Sequence, residues 1–163
     1  MKQGRDYIQL FVEAIGWKDS LESDEEGKIT KLATLIRFDK RLCRLFIEAY
    51  EDARRIYVFL YLPFDVDHSK RLDALQTINH INFRLGVGHF EISDEAQPCL
   101  RFRLVIDLDG VLQWDDRLVG CMYDAACGAV KQWIDVLQSV STKALNYEEF
   151  THELALTHDK DAS

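Results

Sequence analysis

The residues best placed to do chemistry end an apolar run, Leu104-Val-Ile-Asp107-Leu-Asp109-Gly110-Val-Leu112. Asp107 and Asp109 are carboxylates two residues apart, side chains of the type that nucleophilic and acid/base chemistry use. Other chemistry is harder to assemble. Ser69, Ser93, Ser139 and Ser141 lie on no nucleophile elbow, and no glycine-rich loop follows a strand as a phosphate cradle requires. Gly86-Val87-Gly88 is too short for one. His80 and His89 flank the end of a helical stretch and could meet, but they read as exposed structural histidines. Cys43, Cys99, Cys121 and Cys127 form no CxxC pair, and no histidine stands four residues from another or beside a cysteine, so no metal site is expected. Cys121 and Cys127 share a helical segment, about 9 Å apart along its axis, too far for a bridge.

The Asp-x-Asp-Gly string resembles the first motif of the haloacid-dehalogenase phosphatases, and that resemblance implies Asp107 as a nucleophile toward a phosphoryl centre, Asp109 as the acid/base and both as holders of a magnesium ion. That fold needs the motif at the end of a central parallel strand, followed by βα units that deliver a Ser/Thr, a Lys and a distal acidic pair. Only 53 residues follow Gly110, and nearly all read as helix. Asp115 and Asp116 are helix-capping candidates instead. The favoured reading is that Asp107 and Asp109 end a strand and Asp109-Gly110 makes a turn, with Gly supplying positive φ cheaply. The expectation is therefore no catalysis and no cofactor. A small magnesium-dependent phosphatase using Asp107 and Asp109 is the alternative.

The elements that hold these residues follow from periodicity. Tyr7, Leu10, Phe11, Ala14 and Ile15 recur at helical spacing, and Gly16 ends that first helix. Asp19 to Glu26 carries five carboxylates and no basic residue, and reads as a solvated loop. It lacks the alternating ligands and central glycine of a calcium loop. Over residues 29–62 the period becomes two, giving three strands with breaks at Asp39-Lys40-Arg41 and Glu51 to Arg55, short enough for hairpins. Pro63 closes the third strand.

Residues 68–86 return to the helical period through Ala74, Ile78, Ile81 and Leu85, with Leu75 beside them. Phe90 and Ile92, then Leu100, Phe102, Leu104 and Ile106, alternate as strands four and five around a turn at Asp94 to Gln97. A long helix runs from the Asp115 cap to about Leu145. Asn146 and Glu149 make a capping-box-like start for a short tail helix with a frayed end. The order α-β-β-β-α-β-β-α, with hairpins rather than βαβ units, predicts an α+β fold with an antiparallel five-stranded sheet packed by helices.

A chain of 163 residues fits one domain that buries about 68–70% of its unfolded surface. The 28 acidic against 20 basic side chains, net charge -8, argue against nucleic acid and against an anionic membrane surface. No apolar run approaches the roughly 18 residues of a spanning helix, and the first fourteen residues lack a signal-peptide core, so a soluble, cytoplasmic protein is expected. Removing the five carboxylates of the acidic loop changes -8 to -3, so the body is nearer neutral.

Two sets of residues stand out as binding or positioning groups. The third strand has an aliphatic face, Ile56, Val58, Leu60 and Leu62, and an aromatic one, Tyr57, Phe59 and Tyr61, which Phe46 and Tyr50 join from the second strand. Aromatic rings with polar tips suit an interface. Phe46, Tyr50, Tyr57, Phe59 and Tyr61 are expected to meet a protein client or a second subunit, unless the first or the tail helix covers them. Asn82 falls within the apolar face of its helix, with Asn79 at the margin, and a buried amide needs partners. Backbone of the following glycine-rich turn is the expected one.

Thr77 to Gly110, with Asn79-His-Ile-Asn82 on a helix, then Gly88-His-Phe90-Glu91 and the strand from Leu100, resembles the YbjN family of small bacterial proteins. With the preceding meander and the long terminal helix, the likeness covers about residues 5–140. It implies a single α+β domain over 1–145, with 146–163 as an added tail helix and frayed end. It further implies a fold similar to type III secretion chaperones and an acidic, commonly dimeric regulator or chaperone-like adaptor without catalysis. The family offers no established site to transfer.

Overall fold

Across residues 29–38, 41–50 and 55–62 apolar side chains alternate with others, with Thr30 and Thr34 on the same face, a pattern that buries one face of a strand and leaves the other to solvent. The chain answers with three long antiparallel strands. The computed structural model describes residues 3–18, 21–93, 98–109, 117–142 and 144–161, with backbone alone over 156–161. Its elements are α1 (Gly4–Ile15), β1 (Glu22–Ser23), β2 (Ile29–Phe38), β3 (Arg41–Tyr50), β4 (Arg55–Asp65), α2 (Arg71–Asn82), β5 (His89–Ile92), β6 (Cys99–Asp107), α3 (Leu118–Ser141) and α4 (Tyr147–Asp161). A 3-10 turn at His68–Lys70 leads into α2. The turn expected at 94–97, the Asp115 cap and Gly110 lie outside the described residues.

The fold is α+β with an antiparallel sheet, as expected, but among the described residues the sheet has six strands, in the order β1-β2-β3-β4-β6-β5. The added strand lies in the segment read as a solvated acidic loop. Glu22 and Ser23 pair with Lys31 and Thr30, and the turn closes through Asp24, whose side chain accepts from Ile29 N–H at 3.1 Å. Gly27 takes φ 66°, and Lys28 pairs with Glu26, so the charges stay in solvent while the backbone pairs. Two residues are too few to show a period.

The β2–β3 hairpin closes with Phe38 opposite Arg41, and β3 pairs β4 from Arg44–Tyr61 to Tyr50–Arg55. Helix α2 then carries the chain past the sheet to its far edge, and β6 returns into the gap between β4 and β5. This places Arg101 opposite Tyr61 and Arg103 opposite Phe59.

One face of the sheet carries the core. Leu45, Ile47, Val58, Leu60, Leu100 and Phe102 pack with Tyr7, Ile8 and Phe11 of α1, Ile78 and Ile81 of α2, and Met122, Val130 and Leu137 of α3. The buried stripe of α1 is Gly4, Tyr7, Ile8, Phe11 and Val12 rather than one ending at Ala14 and Ile15, which are exposed. The reason is Gly4: a Cβ there would stand 2.7 Å from the Ala49 Cβ, so the helix start sits flush on β3. The tail helix starts as its residues dictate. Asn146 N–H donates to Glu149 Oε2 at 2.8 Å and Glu149 N–H to Asn146 Oδ1 at 2.9 Å. Phe150 is then 2% exposed, packed beside His80 of α2.

Candidate protein-binding face

Because α1, α2 and α3 all pack on the aliphatic face and α4 packs on α2 and α3, no described helix covers the opposite side of the sheet. There Phe46, Tyr50, Tyr57, Phe59 and Tyr61 come together, each partly exposed. Strand register makes the cluster. Phe46 faces Phe59 across β3 and β4, and Phe46 stands edge-on to Tyr61 at 5.5 Å between ring centroids. Tyr57 and Phe59 stack at 5.6 Å with 4° between their planes, and Tyr50 meets Tyr57 edge-on at 5.2 Å. The self-covering of this face by α1 or the tail helix, allowed by the sequence, does not occur.

The structure adds basic groups to this cluster. Arg101 lies over Phe59 at 4.8 Å and over Tyr61 at 5.4 Å, Arg103 over Tyr57 at 5.3 Å, Arg44 over Tyr61 at 5.2 Å, and Lys31 over Phe46 at 4.2 Å. Each such contact at a partly exposed site contributes about 0.5–1 kcal/mol. Arg101 is held in place by Glu91 at 2.6 Å and by the Tyr61 hydroxyl at 2.6 Å. Glu91 also faces Arg103 at 3.7 Å and His89 at 3.2 Å. Burial alone would raise the Glu91 carboxyl, but the bonds to Arg101 and His89 and the charge of Arg103 bring it below the usual carboxylate range. Tyr50 donates to Glu48 at 2.9 Å, and burial with that bond pushes its phenol up to about 12. Tyr50, Tyr57, Phe59, Arg101 and Arg103 line a shallow depression of about 290 Å³.

The other candidates separate. Asn82 uses its amide as expected, but on Phe90 at the start of β5 rather than within the glycine turn: its Nδ2–H donates to Phe90 O at 3.0 Å and its Oδ1 accepts from Phe90 N–H at 2.8 Å. Asn79 is exposed on the outward side of α2. Asp107 ends an antiparallel strand opposite Arg55, 3.5 Å from its guanidinium, and Asp109 pairs with Arg54. Asp107 also accepts from Asp109 N–H at 3.0 Å. Both carboxylates thus neutralise arginines at the start of β4, and the strand that carries them is not the parallel strand the phosphatase motif requires. Among the described residues no three His, Cys, Asp or Glu side chains gather as a metal ion would need.

One surface escaped the sequence reading. Leu72, Leu75, Asn79 and Phe83 lie along one side of α2 and its cap, with Leu72 69%, Leu75 44% and Phe83 83% exposed. Val87 follows at 58%. Their i, i+3, i+7, i+11 spacing was a readable signal, masked by the core stripe of the same helix.

No family model matches the chain, and no curated protein matches its sequence. Solved structures do. YbjN from E. coli, proposed as a transcription regulator, is similar with a TM-score of 0.53 and 15% identity over 83% of this chain and 90% of that one. An uncharacterized protein from Methanothermobacter thermautotrophicus gives 0.56 and 12% over 85% and 99%. A chain of the ExsC–ExsE complex gives 0.54 and 19% over 84% and 97%. At these identities the likeness is one of fold alone.

Proposed function

We propose that the protein is a non-enzymatic adaptor that binds a partner protein through the open face of its sheet. The observation that carries this reading is the pair of unlike faces: helices cover the aliphatic side, while Phe46, Tyr50, Tyr57, Phe59 and Tyr61 stay partly exposed on the other. Contiguous exposed rings with polar tips are the side chains that protein interfaces favour. The similarity to a chain solved in complex with a second protein points the same way. The protein acts in the cytoplasm as a homodimer, the second copy seated on the Leu72, Leu75 and Phe83 stripe of α2, which an isologous contact would bury on both subunits. The sheet face is thereby left for the partner.

The test is affinity purification from the native cell with mass spectrometry, run on the wild type and on Tyr57→Glu/Phe59→Glu. Loss of a specific co-purifying protein, with folding and mass unchanged by circular dichroism and light scattering, is the expected result. A folded variant that retains every partner defeats the reading. Magnesium-dependent p-nitrophenyl phosphatase activity that Asp107→Asn abolishes would replace it with the enzymatic one.

A further inference from the structure

The chain carries -8 overall, yet the open face of the sheet carries the opposite sign. By strand register, Lys31, Arg37, Arg44, Arg55, Arg101 and Arg103 share that face with Glu22, Glu48, Asp65, Glu91 and Asp107, a local balance of +1. Three of those arginines lie over the aromatic rings, where stacking fixes the plane of the guanidinium and leaves edge N–H groups for an acceptor. The Nε–H of Arg103 is itself buried and has no acceptor among the described residues, so it is the terminal N–H groups that would meet a partner. Planar donors on an aromatic floor fit carboxylates, which arginine takes two oxygens at a time.

We propose that this face recognises an acidic segment of its partner protein. The segment's carboxylates dock on Arg44 and Arg103 and beside Arg101, and its apolar side chains rest on Phe46, Tyr57 and Phe59. The proposal rests on the reading of the open face as a partner surface and adds the chemistry of the partner. The local sign selects against a basic or neutral segment. The remaining body, more negative than the whole chain, and the carboxylates of Glu48, Glu91 and Asp107 select against a long polyanion. Nucleic acid, with a charge about every 1.7 Å of duplex, would meet both. A short peptide with discrete carboxylates meets the arginines alone.

The experiment uses the full-length protein and three fluorescein-labelled probes: a twelve-residue peptide alternating Glu with Leu and Phe, the same peptide with every Glu replaced by Gln, and an oligouridine of equal length. Anisotropy and the Nε–H NMR signals of arginine are followed in the wild type, Arg44→Gln/Arg103→Gln, Glu48→Gln and Tyr57→Glu/Phe59→Glu. Arg101 is left untouched because it neutralises Glu91. The acidic peptide is expected to bind at least about tenfold more tightly than its Gln counterpart, to weaken as salt is raised, and to weaken about tenfold or more in the arginine pair. Glu48→Gln, which removes a negative charge without removing an acceptor, is expected to tighten it. Equal binding of the two peptides, abolished by Tyr57→Glu/Phe59→Glu, overturns the acidic specificity while the open-face reading survives. Binding that moves no arginine signal and ignores the aromatic pair overturns both, as does binding of neither peptide. Tighter binding of oligouridine than of the acidic peptide replaces the partner class with nucleic acid.

Discussion

The Asn82 side chain takes the place of a strand against Phe90, donating to its carbonyl at 3.0 Å and accepting from its N–H at 2.8 Å. Strand β5 lies at the edge of the sheet, so Phe90 meets β6 on one side and the Asn82 amide on the other. The last residue of α2 thereby fixes where β5 begins and closes an edge that would otherwise present bare backbone. In Asn82→Ala both Phe90 groups lose their partner, and unfolding in urea is expected to show a loss of about 1–3 kcal/mol. Asn82→Asp keeps the acceptor but turns a carboxylate toward the Phe90 carbonyl, so it is expected to be no better than Ala. A midpoint unchanged in both variants contradicts this role.

Gly88 makes the turn that leads into β5, with φ at 68°. A Cβ there would stand 2.3 Å from Phe102 Cζ and 2.9 Å from the Arg103 carbonyl. Strain and overlap act together, so Gly88→Ala is expected to cost about 2–4 kcal/mol and to lower the melting temperature visibly. Gly86 has nothing within 4 Å of an added Cβ, and Gly86→Ala serves as the neutral control in the same melt.

Helix α1 is capped from far along the chain. Glu51, in the β3–β4 turn, accepts from Gly4 N–H at 2.9 Å and Arg5 N–H at 2.8 Å. A carboxylate at a helix N-terminus satisfies open donors and meets the positive end of the helix dipole. Glu51→Ala is expected to destabilise by about 0.5–2 kcal/mol, and amide exchange should speed up first at the start of α1. Exchange that quickens everywhere alike would show that the effect is not that of a cap.

His80 sits against Tyr147 and Phe150, with ring centroids 6.3 and 5.4 Å away. Burial, helped by the charge of Arg84, holds its imidazole below the ordinary value, and its Nε2 is buried without a partner among the described residues. As pH falls the unfolded chain takes up this proton first. The stabilisation is therefore full above about pH 6.5 and is lost as pH drops from there through the folded value. Urea midpoints measured between about pH 7.5 and 5.5 should fall less for His80→Leu than for the wild type. Parallel curves would remove His80 from the acid response.

Leu72 and Phe83 point away from the core, so exchanging them for Asp should leave the fold intact and cost within about 0.5 kcal/mol. Light scattering is expected to show half the wild-type mass for Leu72→Asp/Phe83→Asp. An unchanged mass, whether monomeric or dimeric in both proteins, removes α2 as the contact between copies.

Local order and long-range order were legible to different degrees. Alternation from Ile29 to Leu62, the helical stripe through Ala74, Ile78 and Ile81, and the Asn146–Glu149 box each depend on residues within a few positions of one another, and each stands where its spacing put it. The same alternation separated the aromatic residues of β3 and β4 from the aliphatic ones, so the candidate face was visible before any fold. The sixth strand was not, because two residues, Glu22 and Ser23, carry no period and pair only when β2 is already in place. Nor was the charge of the open face. Arg101 and Arg103 lie 40 or more residues from the rings they cover, and they reach Tyr61, Phe59 and Tyr57 because β6 inserts between β4 and β5 instead of extending the edge. A strand's faces are written in its own alternation. Its neighbours are chosen by which apolar surfaces the whole chain can bury at once, and that choice turned an aromatic patch on an acidic protein into a basic one.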